Sequence, residues 1–193
     1  MKKIGITGNI GSGKTLVCSI FEAMRIPVFY ADKEAKLLYS KPEIFDRMVN
    51  HFGKSIYNTD KTIRPAVLAK KIFNQPQSLN FVNSMIHPAV HIRFNEWIQA
   101  YQSVTYILYE AAILFETGFD KEFDAIIVVT APEPIRLERI MQRDHLTQKE
   151  VTIRMERQWS EEKKSSMADF IILNDGNSLL IPQVLKIHNQ LTH

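Results

Sequence analysis

The chain has 193 residues, 45% hydrophobic and 23% charged, enough to bury one substantial core with room for an inserted subdomain. No apolar run approaches the roughly 20 residues of a membrane span, no signal peptide is expected from the opening residues, and the lone Cys18 cannot form an internal disulfide, so the expected setting is a reducing cytoplasm. The net charge of +3 divides into +7 over residues 1–100 and −4 over 101–193, either a bias that steers an anionic substrate or a solvated surface; basic and aromatic residues do not interleave, so neither nucleic acid nor membrane is an expected partner.

Lys3 to Thr7 reads as a short buried strand and Leu16 to Met24 as a helix of good formers. Between them stands Gly8-Asn9-Ile10-Gly11-Ser12-Gly13-Lys14-Thr15, a complete phosphate-binding loop in the strand–loop–helix context that the motif requires. Glycines let successive N–H groups and the helix N-terminus face a polyphosphate. Lys14 supplies a point charge for the β/γ-phosphates, and Thr15 offers a hydroxyl oxygen to Mg²⁺, a hard cation that keeps several waters. The motif establishes nucleoside triphosphate binding and leaves any phosphate acceptor open. A second strand, Pro27 to Ala31, ends at Asp32, either a general base at the carboxyl end of a sheet strand or a helix N-cap.

Residues 32–103 hold no convincing strand and read as a helical insert, with Pro42, Pro65 and Pro88 each opening a helix. His87 and His91 lack the remaining pattern of a metal site; at the helix entry expected before Pro88, His87 either binds a substrate phosphate or caps its helix. Further strands are expected at 104–109, 124–130 and 169–173, completing five. Near-continuous apolar strands alternating with helices define an α/β fold with a parallel sheet covered on both faces. After the third strand, Glu110 and Glu116 are candidates for metal or hydroxyl binding, or carboxylates favoured at a helix start.

A helix from Pro134 to about Arg143, then a second from the capping box Thr147-Gln148-Lys149-Glu150 through about Gln158, form a candidate lid over 136–167. Arg136, Arg139 and Arg143 share one face of the first helix, and Arg154 and Arg157 lie on the second. Arginines on a closing element suit the charge of phosphoryl transfer, and they equally suit a solvated face paired with Glu138, Glu150 and Glu156. The core is then 1–31 with 104–135 and 168–193, all within one domain.

Taken together these blocks resemble the dephospho-CoA kinase family. Ile6 to Lys14 is similar to its L-T-G-G-I-G-S-G-K start, Ala31-Asp32 to its D-A-D segment, and Asn83 to Pro88 to its insert motif. Ile113-Leu114-Phe115-Glu116 resembles its P-L-L-[FY]-E block, Arg139 to Asp144 with Arg154 and Gln158 its lid, and Ala168 to Asn174 its A-D-x-[VI]-I-x-N ending. The resemblance implies a P-loop kinase core with helical insert and lid, using ATP and Mg²⁺, and dephospho-CoA as the acceptor. It implies ATP contacts from Gly8, Gly11, Ser12, Gly13, Lys14, Thr15 and Leu16, with Arg143 from the lid and Asn174 near the adenine. Asp32 becomes the base, with Lys14 and Arg143 also catalytic, and Arg64, His87 and Glu116 join Asp32 in holding dephospho-CoA. Asn9 departs from the pattern by replacing a glycine, Ala112 a proline, Ile63 an acidic residue and Arg136 a common glutamine. Oligomeric state is open, with a monomer as the default.

Kinases of nucleoside monophosphates or shikimate share such a core and lid, but the long insert with its Asn83 to Pro88 block favours a bulkier acceptor. A GTPase is disfavoured because neither N-K-x-D nor D-x-x-G occurs in the chain.

Overall fold

The structure, a computed structural model, describes residues 1–73 and 75–192; Asn74 in the expected insert and His193 at the end of the expected core lie outside the described residues. The chain divides into two compact units, one formed by Met1–Tyr30 with the stretch from Tyr101 onward, the other by Ala31–Ala100.

In the first unit, β1 (Lys2–Thr7), β2 (Val28–Tyr30), β3 (Tyr106–Glu110), β4 (Ala125–Thr130) and β5 (Phe170–Leu173) form one five-stranded sheet in the order β2-β3-β1-β4-β5. All its pairings are parallel; Ile4 of the central β1 lies opposite both Leu108 and Ala125. Parallel strands covered on both sides require unbroken apolar runs, and every residue of β3 is buried. Strand β2 stops at Tyr30, earlier than expected, because Ala31 already opens a helix.

Side-chain alternation divides the core between the two faces of the sheet. On one face Ile4, Ile6, Tyr106, Leu108, Ile127 and Val129 pack against Val17, Cys18 and Phe21 of α1 (Lys14–Ala23) and Val184, Ile187 and Leu191 of α9 (Leu180–Thr192). Tyr106 meets the edge of Phe21 at 6.4 Å between ring centres, and its buried hydroxyl is satisfied by His188 Nδ1 at 2.7 Å. On the other face Tyr109 stacks on Phe29 at 5.3 Å and packs against Phe119 and Phe123.

After β4 come α6 (Glu133–Asp144), α7 (Gln148–Met155) and α8 (Glu161–Ser165). Helix α6 ends at His145, held in left-handed backbone at φ 52°, and α7 begins with the capping box in which Thr147 and Glu150 bond reciprocally, as the sequence predicts. Helix α7 stops at Met155, short of the expected Gln158, because the segment beyond it bonds to the phosphate loop and to the end of β3. No helix among the described residues is long and apolar enough to cross a membrane.

The second unit is helical: α2 (Ala31–Leu38), α3 (Pro42–Phe52), α4 (Pro65–Ile72) and α5 (Pro76–Trp97). Pro42 and Pro65 open their helices as expected, but Pro88 does not. It lies inside α5, whose first turn starts instead at Pro76, so His87 is in mid-helix rather than at a helix entry. The apolar residues Val82, Met85, Ile86, Val90 and Phe94 are buried on both sides of Pro88, and tertiary burial carries the helix through it. An interior proline forfeits a backbone hydrogen bond, so Pro88→Ala is expected to stabilise the chain by about 1–3 kcal/mol in urea unfolding. Unchanged or lower stability would show that α5 is built around the proline.

Candidate active site

The P-loop joins the carboxyl end of β1 to α1, and Gly13 caps that helix in left-handed backbone at φ 89°. A Cβ at this position would run into the Asn174 carboxamide, so glycine is required by conformation and by space. Gly11, at φ 83°, lies against the backbone of α6, where an added Cβ would approach the Arg136 carbonyl to 2.7 Å. Asn9 is not among the residues with positive φ, so this replacement of a glycine makes no use of left-handed backbone. Ser12 N–H donates to the Asn9 carbonyl at 3.0 Å, closing the turn, and Lys14 Nζ donates to the Gly8 carbonyl at 2.9 Å. The Lys14 ammonium is thus folded over the loop that its phosphates would enter. Thr15 and Leu16 are exposed in the first turn of α1, and an exposed hydroxyl there suits a hard cation that keeps most of its waters.

The loop is gripped from outside. Asn174 follows β5, its N–H donates to the Thr130 carbonyl at 2.8 Å, and its Nδ2 donates to the Ser12 carbonyl at 2.8 Å. Arg139 Nη1 reaches the carbonyls of Gly11 at 3.4 Å and Asn174 at 3.2 Å. On the far side Ile10 N–H donates to Gln158 Oε1 at 2.7 Å, and Asn9 Nδ2 donates to the Trp159 carbonyl at 3.1 Å. Asn174, expected near adenine, therefore has its amide committed to the loop itself.

Glu116 belongs to a buried charge cluster behind this crown. Its Oε1 accepts from Lys164 Nζ at 2.8 Å and from Trp159 N–H at 3.1 Å, while its Oε2 is buried with no hydrogen-bond partner. Lys164 is 0% exposed and also donates to the Ala112 carbonyl at 2.9 Å. Burial pushes the Lys164 ammonium below the usual lysine range, opposed by the Glu116 carboxylate. Nearby, Arg136 is only 5% exposed: its Nε donates to the Ala131 carbonyl at 2.8 Å and lies 3.7 Å from Glu161, while its Nη1 is buried without a partner. Arg136 and Arg139 are thus built into the loop's surroundings.

Arg143 and Arg154 are different. Both hold Asp144, Arg143 through Nε at 2.8 Å and Arg154 through Nη1 at 2.9 Å, and the Arg143 side chain is 62% exposed. The Arg143 hydrogen bond holds the Asp144 carboxyl below the usual range and raises the Arg143 guanidinium. Exposed pairs of this kind contribute about 0.2–1 kcal/mol, so Arg143 can be drawn away by a stronger anion. Glu110 is buried at the end of β3, where with Glu22 it helps hold the Tyr30 phenol above its usual range, an effect led by burial.

The remaining predicted residues belong to the helical unit. Asp32 is exposed in the first turn of α2. Arg64 precedes α4, its N–H donating to the Ile56 carbonyl at 2.7 Å and its Nη1 to Ser55 at 3.2 Å. His87 is on the exposed side of α5, yet neighbouring atoms strip enough water to push its imidazole below the usual range. Among the described residues there is no group of three or more His, Cys, Asp or Glu that could hold a metal ion.

The parallel sheet and its glycine loop at the carboxyl end of the central strand define an α/β P-loop nucleotide-binding protein. The dephospho-CoA kinase family profile matches residues 2–179. A dephospho-CoA kinase of Bacteroides fragilis is 37% identical over 186 residues, covering 96% of this chain and 90% of the relative, and one from Salinibacter ruber is 36% identical over 179 residues, covering 91% and 90%. Among solved structures, a dephospho-CoA kinase from Campylobacter jejuni aligns with a TM-score of 0.71 at 25% identity, covering 98% of this chain and 96% of that one. A shikimate kinase from Acinetobacter baumannii, with a TM-score of 0.55 at 14% identity over 99% of this chain and 93% of that one, shares the fold alone. This chain belongs to the dephospho-CoA kinase family and is an ATP-using kinase.

No motif in the sequence singles out Lys164 or Trp159, because the groups that meet them come from distant parts of the chain. Removing one partner of a buried ion pair strands the other charge, so Lys164→Met is expected to cost about 3–5 kcal/mol in denaturant unfolding, with most of it regained when Glu116→Gln is added. Additive losses would mean that the two groups do not act as a pair.

Proposed function

We propose that this chain transfers the γ-phosphate of ATP to the ribose 3′-hydroxyl of dephospho-CoA, giving CoA and ADP. The observation that carries the reading is a P-loop held at Ser12 by Asn174 and at Ile10 by Gln158, in a chain whose family match spans residues 2–179. In this reading Gly8 and Gly11 to Leu16 cradle the polyphosphate, and Asn174 serves the adenine end while bracing the loop. Lys14 leaves the Gly8 carbonyl for the β/γ-phosphate oxygens. Mg²⁺, held by Thr15 Oγ1 and the phosphates, would neutralise charge on the transferred group.

Asp32 follows the carboxyl end of β2 as the P-loop follows that of β1. It takes the 3′-hydroxyl proton as that oxygen bonds to the γ-phosphorus, while the bond from phosphorus to the β–γ bridging oxygen breaks and ADP departs with the electron pair. Arg143 swings from Asp144 to the equatorial oxygens as the lid, 136–167, closes at the end that carries Arg143 and Arg154, while Arg136, Arg139, Gln158 and Lys164 keep their contacts around the loop. Arg64, His87 and Glu116 take the acceptor, with 32–103 as its binding insert and the remainder as the nucleotide core. The lone buried Cys18 supports a reducing cytoplasm. We place the protein there as a monomer without nucleic-acid or membrane partners.

The test is ADP release across acceptors. Turnover should need Mg²⁺, be strong with dephospho-CoA and fall to background with AMP or shikimate; Asp32→Asn should lower kcat about 10²- to 10⁴-fold while ATP affinity is kept. Equal turnover of the three acceptors, or undiminished turnover by Asp32→Asn, would overturn the reading.

A further inference from the structure

Gln158 and Trp159 spend four polar groups on the surroundings of the phosphate loop. Gln158 Oε1 accepts the Ile10 N–H at 2.7 Å, and its Nε2 donates to the Ala112 carbonyl at 3.1 Å. The Trp159 carbonyl accepts Asn9 Nδ2 at 3.1 Å, and its N–H donates to Glu116 Oε1 at 3.1 Å. Ala112 and Glu116 are in turn fixed by Lys164, and the Trp159 ring is covered by Lys163 at 3.3 Å. The dipeptide therefore ties the crown of the loop to the segment that leaves β3.

That tie has a direct chemical consequence. An Ile10 N–H held by a side-chain oxygen at 2.7 Å sets the crown's peptide plane before any phosphate arrives. A loop that must first find this arrangement binds more weakly, in proportion to the time it spends elsewhere. The Asn9 contact is one that the glycine common at this position cannot make, because it comes from the side chain.

We infer that Gln158 is a positioning residue for the nucleotide, and that the Asn9 side chain is a second tie; together they hold the P-loop crown in its binding shape. This rests on the P-loop being the ATP site and is independent of the acceptor. The experiment is calorimetric titration of wild type, Gln158→Leu and Asn9→Ala with a non-hydrolysable ATP analogue and Mg²⁺, paired with steady-state kinetics.

Losing one such hydrogen bond should raise Kd about five- to tenfold in Gln158→Leu, with a smaller rise in Asn9→Ala. The kcat at saturating ATP and the acceptor KM should stay within about twofold, a split that general loosening of the fold would not give. If both variants bind the analogue as wild type does, or lose kcat with Kd unchanged, the inference is overturned. If Gln158→Leu does not fold, Asn9→Ala decides by the same criteria. A wild type that fails to bind the analogue overturns the nucleotide site itself, an outcome distinct from equal affinities.

Discussion

A phosphate loop is a turn of backbone with nothing inside it, so its shape has to be imposed from outside. In this chain Asn174 holds the Ser12 carbonyl, Arg139 the Gly11 carbonyl, Gln158 the Ile10 N–H and Asn9 the Trp159 carbonyl. The residue after β5, helix α6 and the segment after α7 all converge on eight residues. Backbone groups that would otherwise need water are satisfied by side chains more than a hundred positions away, which makes the loop's geometry a property of the assembled sheet. The close fit at Gly11 and Gly13 belongs to the same constraint, since the bracing groups occupy the space that a side chain would fill.

Charge is distributed around that loop in two ways. Arg136 and Lys164 are buried, Glu116 largely so, and they carry structure: each has a fixed partner, and removing one leaves its neighbour desolvated. Arg143 and Arg154 share one carboxylate near the surface, an arrangement that costs little to break. Arg136, Arg139, Arg143 and Arg154 look alike in a helical pattern, yet the first two brace the loop's surroundings and the last two are able to move. The fixed groups keep the loop in shape, and the exposed ones can be drawn to an incoming anion.

Much of this was legible in the sequence, for reasons that differ from feature to feature. The P-loop could be read because its glycines answer a local backbone demand, and the strands because a sheet buried on both faces permits only apolar runs. The Thr147–Glu150 capping box could be read because it closes within one turn. What escaped depends on distant contacts. Pro88 has the local signature of a helix start, yet burial on both sides of it continues α5. Lys164 follows three charged residues and is nonetheless completely buried, because Glu116 and Ala112 meet it from another part of the chain. Gln158 fitted a helical pattern and was drawn out of it by Ile10.

The central claim is that the loop is shaped before nucleotide binds, and amide hydrogen exchange of the nucleotide-free protein followed by NMR tests it most directly. The account predicts that the N–H groups of Ile10 and Ser12, bonded to Gln158 and Asn9, exchange slowly, with protection comparable to that of β1 amides. Exchange of both at the rate of an exposed loop would contradict it.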